Sequence, residues 1–243
     1  MSELLHSDES VERPVIRLSP EEASQIQATF MRQVYGWMGG ALALTGGIAL
    51  LISSTPELVE LVAGQRLVFF GLLLLELFVV GYISSRAAQM SASTMTGAFI
   101  AYAALNGITL SVIFLVFTAD SIASTLFVAA GTFAVMSLYG YFTGTDLSRW
   151  GNVLMMALVG LIIASVVNMF WLNSLLYTIT SCVGVLLFVA LIAYDTQKLK
   201  ALAFTGLGDA DATHKASLLG ALTLYLDFIN LFLFLLRFFG RRR

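Results

Sequence analysis

The chain has 243 residues, of which 58% are hydrophobic and only 12% charged, with a mean hydropathy of +0.88 and a net charge of −2. Soluble domains are nearer half apolar and a quarter charged, so this composition describes an integral membrane protein with room for about six to eight spans. No long basic block offers a track for nucleic acid, the single Cys182 excludes an intrachain disulfide and a cysteine-based zinc site, and two histidines, His6 and His214, argue against a His-rich metal centre.

Residues 1–18 are polar and acidic (Glu3, Asp8, Glu9, Glu12) and are expected to form a disordered tail. The acidic opening predicts no cleavable signal peptide, so the first span should direct insertion and stay in the protein. Ser19-Pro20-Glu21-Glu22 then has the Ser-x-x-Glu pattern of a capping box with proline at the first helical position. The helix that begins there should run into the membrane without a break.

Seven apolar segments follow, at about 34–53, 67–85, 94–117, 122–141, 152–170, 175–195 and 216–237. Short connections, Thr118 to Ser121 and Trp171 to Ser174, make sequential neighbours antiparallel and adjacent. The expected fold is an all-α integral membrane protein with seven transmembrane helices. A single domain should cover 19–240, with a basic tail at 241–243. The first segment carries Gly39-Gly40 and Gly46-Gly47 on one face, which predicts close helix packing there. Asn106, Thr109, Ser111 and Asn168 are expected to bond between helices.

Lys and Arg set the orientation. With seven spans, Arg13, Arg17, Arg32, Arg86, Arg149, Lys198, Lys200 and Lys215 fall on one side, and Arg66, Arg237, Arg241, Arg242 and Arg243 on the other. This places the N-terminus in the cytoplasm. The Arg241-Arg242-Arg243 tail opposes its own placement outside, and a re-entrant last segment would bring it in.

Three acids lie in or at the ends of apolar segments: Glu76, Asp195 and Asp227. By insertion scales an acid at the centre of a membrane helix costs roughly 2.5–3.5 kcal/mol, so the default reading is a functional interior site. Gly220, Thr223, Asp227 and Asn230 form one helical stripe on an otherwise greasy last segment, which should therefore be central. Measured from the expected helix ends at 1.5 Å per residue, Asp195 and Asp227 differ in height by about two turns. Spacing alone does not decide whether they pair. Asp195 has the alternative of a solvated helix-end residue beside Lys198.

Two enzyme readings fail on motif context. Tyr194-Asp195 with Gly206-Leu207-Gly208-Asp209 looks like the paired motifs of presenilin-like intramembrane proteases, but Asp209 sits in a polar stretch. The three prolines, Pro14, Pro20 and Pro56, leave no late Pro-Ala-Leu. A retinal protein needs a lysine inside a late helix, and Lys215 lies at an edge. No enzymatic activity is expected.

Ala193-Tyr194-Asp195-Thr196-Gln197-Lys198, Leu224-Tyr225-Leu226-Asp227-Phe228-Ile229-Asn230-Leu231-Phe232 and Leu235-Leu236-Arg237-Phe238-Phe239-Gly240 closely resemble the transmembrane Bax-inhibitor-motif family. Asn106-Gly107-Ile108-Thr109-Leu110-Ser111 and Asn168-Met169-Phe170 fit it as well. The resemblance covers about residues 28–240 and points to a bacterial inner-membrane member. It implies a central last helix wrapped by two groups of three, and a pH-sensitive calcium leak switched by Asp195 and Asp227. It also implies Arg86 as a charge partner of the aspartates and Glu76 as a further acid. Arg86, closing the second segment, either snorkels to the interface or turns inward to Asp195, and we expect the inward arrangement. No resident cofactor is implied, only Ca²⁺ as a permeant or transiently bound ion. Some bacterial members instead bind a membrane-anchored ATP-dependent protease, for which the acidic tail would be the handle. Two carboxyls at hydrogen-bonding distance in low dielectric cannot both ionise cheaply and titrate as a pair.

Overall fold

The computed structural model describes residues 18–171, 173–204 and 208–243. The acidic tail before Leu18 and the Gly206-Leu207 turn lie outside the described residues.

The capping box forms as its spacing predicts. Ser19 N–H donates to Glu22 Oε2 at 2.8 Å and Glu22 N–H to Ser19 Oγ at 3.2 Å, opening helix α1 (Pro20–Ser53). A short α2 (Pro56–Ala63) leads to α3 (Arg66–Arg86). Next come α4 (Ala92–Leu110), the single turn α5 (Ile113–Val116) and α6 (Ala119–Phe142). A 3₁₀ turn at Ser148–Trp150 precedes α7 (Gly151–Phe170), and α8 (Ser174–Leu202) and α9 (Ala210–Phe239) complete the chain. Among the described residues seven of these units are long and apolar enough to cross a membrane, α4 counting with α5 and the 3₁₀ turn with α7.

Helix α9 is the most buried span. It packs against α1 and α4 on one side and α6 and α8 on the other. Helix α3 packs mainly against α4, and α7 mainly against α8. Aromatic rings line α9 throughout. Phe99 and Tyr102 meet Tyr225 edge-on, Phe133 meets Phe228 edge-on, and Phe188 stacks on Phe234.

The α1 face that packs inward carries Met31, Val34, Met38, Ala41, Thr45 and Ala49, at helical spacing. This turns the glycine pairs away. A Cβ added at Gly39, Gly40, Gly46 or Gly47 would meet nothing within 4 Å, so the expected close packing at these residues does not occur among the described residues. Close approaches occur elsewhere. A Cβ at Gly107 would stand 2.7 Å from the Thr45 carbonyl oxygen, and one at Gly140 would sit on the carbonyl of Ala193.

Helix α9 crosses the whole bundle. Near its start His214 meets the Trp37 ring edge-on and bonds Thr96 at 3.3 Å. Beyond its far end the chain pairs with the turn between α5 and α6, where Phe117 and Arg242 form an antiparallel bridge. The re-entrant alternative is therefore not the arrangement adopted.

Candidate functional site

Local sequence positions α8 and α9. Asn173 caps α8, its Oδ1 accepting from Leu176 N–H at 3.0 Å. Gly208, at φ +91°, takes a turn that a side chain would strain. Asp209 then caps α9 by accepting from the N–H groups of Asp211 and Ala212 at 2.9 and 3.1 Å.

The register between these helices decides where the two acids stand. Leu199 lies against Gly220, and Phe188 stacks on Phe234. Along two antiparallel helices these contacts carry Asp195 to the level of Asp227, and the two carboxyls are close enough to act on each other. The two-turn gap expected from spacing assumes that the helix ends are level. They are not: α9 starts well beyond the end of α8.

Asp227 is 6% exposed and Asp195 half-buried. Asp227 Oδ2 is buried and receives no hydrogen bond. An acceptor in that position is satisfied when the facing carboxyl carries a proton and donates it. Lys198 contributes to the field at Asp195, but it forms no ion pair there. Its ammonium stands 5.9 Å from the Tyr194 ring centroid. The one ion pair among the described residues is Lys215–Asp211, 3.1 Å apart at the start of α9.

A chain of hydroxyls runs next to the pair. Thr196, fully buried, is 3.1 Å from Ser137 on α6, which bonds in turn to Tyr35 on α1. Sequence reasoning missed these three residues. Only the adjacency of Thr196 to Asp195 could have signalled them. Gln197 braces the same end of α8, accepting from Leu147 N–H and donating to the Thr145 carbonyl, both at 2.8 Å. Outside the spans, Asp146 accepts from Ser148 N–H at 2.9 Å, and this bond holds its carboxyl below the usual aspartate range.

Arg86 is placed differently from expectation. It is exposed at the end of α3 and donates to Gln89 Oε1 at 2.8 Å, with no ion pair to Asp195 or Glu76. A guanidinium at a helix end keeps its hydration in this position, whereas turning inward would bury it.

Glu76 lies halfway along α3, beside Thr109, with Oε1 buried and unpartnered. It adjoins a second polar group made by Tyr102 and Tyr225. There Thr45 donates to the Ala103 carbonyl at 2.8 Å and lies 2.8 Å from Tyr225 Oη. The structure thus separates Glu76 and Arg86 from the aspartate pair and brings only Asp195 and Asp227 together.

The expected interhelical bonds of Asn106, Thr109, Ser111 and Asn168 are mostly local. Asn106 donates to Tyr102 Oη, Thr109 to the Leu105 carbonyl and Ser111 to the Ile108 carbonyl, all within four residues. Asn168 accepts from Asn173 N–H in the connection to α8. Polar side chains on a helix find their own turn first.

Among the described residues no three His, Cys, Asp or Glu side chains converge to hold a metal ion. Two carboxylates supply four oxygens, and Ca²⁺ takes about six to eight. The pair fits a passing or loosely held cation, completed by water, better than a permanent ligand cage.

Comparison with known proteins gives a consistent assignment. The family model described as "Inhibitor of apoptosis-promoting Bax1" matches residues 27–243. The chain is 50% identical to the inner membrane protein YbhL of Escherichia coli K12 over 218 residues, 88% of this chain and 92% of that one. It is 41% identical over 218 residues to an uncharacterized protein of Rickettsia prowazekii, covering 88% and 90% of the two chains. An uncharacterized protein of Deinococcus radiodurans is 42% identical over 208 residues, covering 86% and 88%.

Proposed function

The chain belongs to the Bax inhibitor family, and from that premise we propose that it is a pH-sensitive calcium leak of the bacterial inner membrane, switched by Asp195 and Asp227. The observation that carries this reading is the nearness of the two carboxyls on adjacent spans, with Asp227 Oδ2 buried and receiving no hydrogen bond.

Out of water, two touching carboxylates repel strongly, and one shared proton removes the repulsion. In that state a carboxyl–carboxylate hydrogen bond latches α8 to α9. With both ionised the latch is gone, and the site becomes an anionic, oxygen-rich place for Ca²⁺. Protons and calcium then compete for the same oxygens. The hydroxyls of Thr196, Ser137 and Tyr35 extend polar character from the pair toward α1. We place the N-terminus in the cytoplasm from the Lys and Arg count.

The test is calcium flux through pure protein in liposomes across about pH 6 to 8, the range where a perturbed carboxyl pair can titrate. Asp195→Asn and Asp227→Asn should each flatten the pH profile, and the double substitution should add little. A pH profile that survives in both single variants removes the pair as sensor. Inert liposomes, with a membrane-anchored ATP-dependent protease co-purifying from native membrane, would favour a regulator of proteolysis over a channel.

A further inference from the structure

Four arginines close the chain within seven residues: Arg237, Arg241, Arg242 and Arg243. They do not dangle. Thr118 N–H donates to the Arg241 carbonyl at 3.1 Å, Arg243 N–H to the Val116 carbonyl at 3.0 Å, and Arg241 N–H to Ser121 Oγ at 2.9 Å. These bonds fasten the segment to the turn between α5 and α6.

The fastening brings two guanidiniums onto one ring. Arg237 lies 4.4 Å and Arg242 5.6 Å from the centroid of Tyr177, near the start of α8. Arg242 also donates to Tyr177 Oη at 3.2 Å. Tyr177 takes one N–H of Arg242, and the ring contacts leave most of the guanidinium N–H groups free. Among the described residues no carboxylate pairs with them: the one ion pair there, Lys215–Asp211, is at the other end of α9. Asp120, one residue before Ser121, pairs with none of the arginines. Around the cluster Phe170, Trp171, Phe238 and Phe239 are exposed, and a Trp in such a place sits at headgroup level.

We propose that Arg237 and Arg242, held on Tyr177, form a receptor for the phosphodiester of an anionic phospholipid headgroup. Planar guanidinium forks match phosphate oxygens in pairs. Because folding has already immobilised both side chains against a ring, less ordering is left to be lost on binding. The exposed apolar helices beside the cluster give the acyl chains a surface to lie on.

The experiment uses the full chain, stripped of lipid in neutral detergent, with retained phosphatidylglycerol and phosphatidylcholine measured by native mass spectrometry. Phosphatidylglycerol should be retained preferentially. The double substitution R237Q/R242Q should weaken its retention about tenfold, as expected when a paired charge-assisted contact is lost. Arg66→Gln, which removes an exposed arginine at the same end of the bundle, should not. R237K/R242K keeps the charge but not the planar fork, and should also weaken retention; this variant decides the matter if the glutamine pair fails to fold. Full retention in the lysine pair, or an equal loss in R66Q, would mean diffuse attraction and overturn the proposal. So would displacement of the lipid by inorganic phosphate, which would make this a site for the free anion.

Discussion

The hydroxyls of Thr45 and Tyr225 lie 2.8 Å apart and join the first helix of the bundle to the last. Thr45 has one proton, and it goes to the Ala103 carbonyl, so Tyr225 donates to Thr45. The direction of donation fixes the cost of breaking the link. Tyr225→Phe removes a donor and leaves a spare lone pair on Thr45. Thr45→Val strips Tyr225 and Ala103 of their partner together. We expect Tyr225→Phe to destabilise by about 0.6 kcal/mol, the usual scale for membrane interhelical bonds, and Thr45→Val by more, about 1–2 kcal/mol. Reversible unfolding in mixed micelles, run as a double-mutant cycle, checks the order. Equal losses would mean that the donation runs the other way.

Glycine substitutions should separate the two kinds of glycine. An added methyl at Gly140 meets backbone at Ala193, two residues from Asp195, and backbone cannot swing aside. Gly140→Ala should cost about 1–3 kcal/mol, the overpacking range, and should shift the pH profile of calcium flux because α8 must move. Gly39→Ala and Gly46→Ala enter open space and should leave the profile unchanged. Thermal denaturation in detergent with parallel flux assays distinguishes the pair of outcomes.

Arg86 provides a negative prediction. Its hydrogen bond to Gln89 and its exposure leave it outside the aspartate pair. Arg86→Ala should therefore keep resting calcium leak within about twofold of wild type, a change under half a kcal/mol. A large rise in leak would require a second state in which the side chain reaches Asp195.

The crossing of the bundle by α9 sets its two ends on opposite sides, and the Lys and Arg count sets the expected orientation. A reporter at the N-terminus should read cytoplasmic and one fused after Arg243 periplasmic. Cytoplasmic activity at both ends would contradict the crossing.

Asp146 sets a local acid sensitivity. Its bond from Ser148 N–H favours the carboxylate and lowers its folded value. Such a contribution is fully present above the unfolded value of about 3.9 and is lost as pH falls through the folded one. The 3₁₀ turn at Ser148–Trp150 should therefore loosen in acid, and Asp146→Asn should remove that part of the dependence. Trp150 fluorescence, with Trp37 and Trp171 replaced by Phe, reports it. An unchanged titration in the variant would assign the transition to another group.

The seven spans were legible because each is a long apolar run, and the α1 capping box because its partners are three residues apart. Asp195 and Asp227 stood out because insertion scales penalise acids in apolar runs. Their meeting was not legible. It depends on the stagger of α8 against α9, set by contacts such as Leu199 on Gly220 that no spacing within either helix contains. The same holds for Arg86, whose direction depends on a local bond to Gln89, and for the glycine pairs of α1. Periodicity showed that the latter share a face but not which neighbour that face would meet.

Helices α3 and α7 are the least buried spans, each packed mainly against one spanning neighbour. Most of their surface therefore answers to the lipid and not to the protein. Changes in bilayer thickness act on lipid-facing helices through hydrophobic mismatch, at fractions of a kcal/mol per Å. The first parts of this molecule to slide or tilt under such a change are these two outriggers, and one of them carries Glu76. Asp227, on the most buried helix, sits at the mechanically quiet centre.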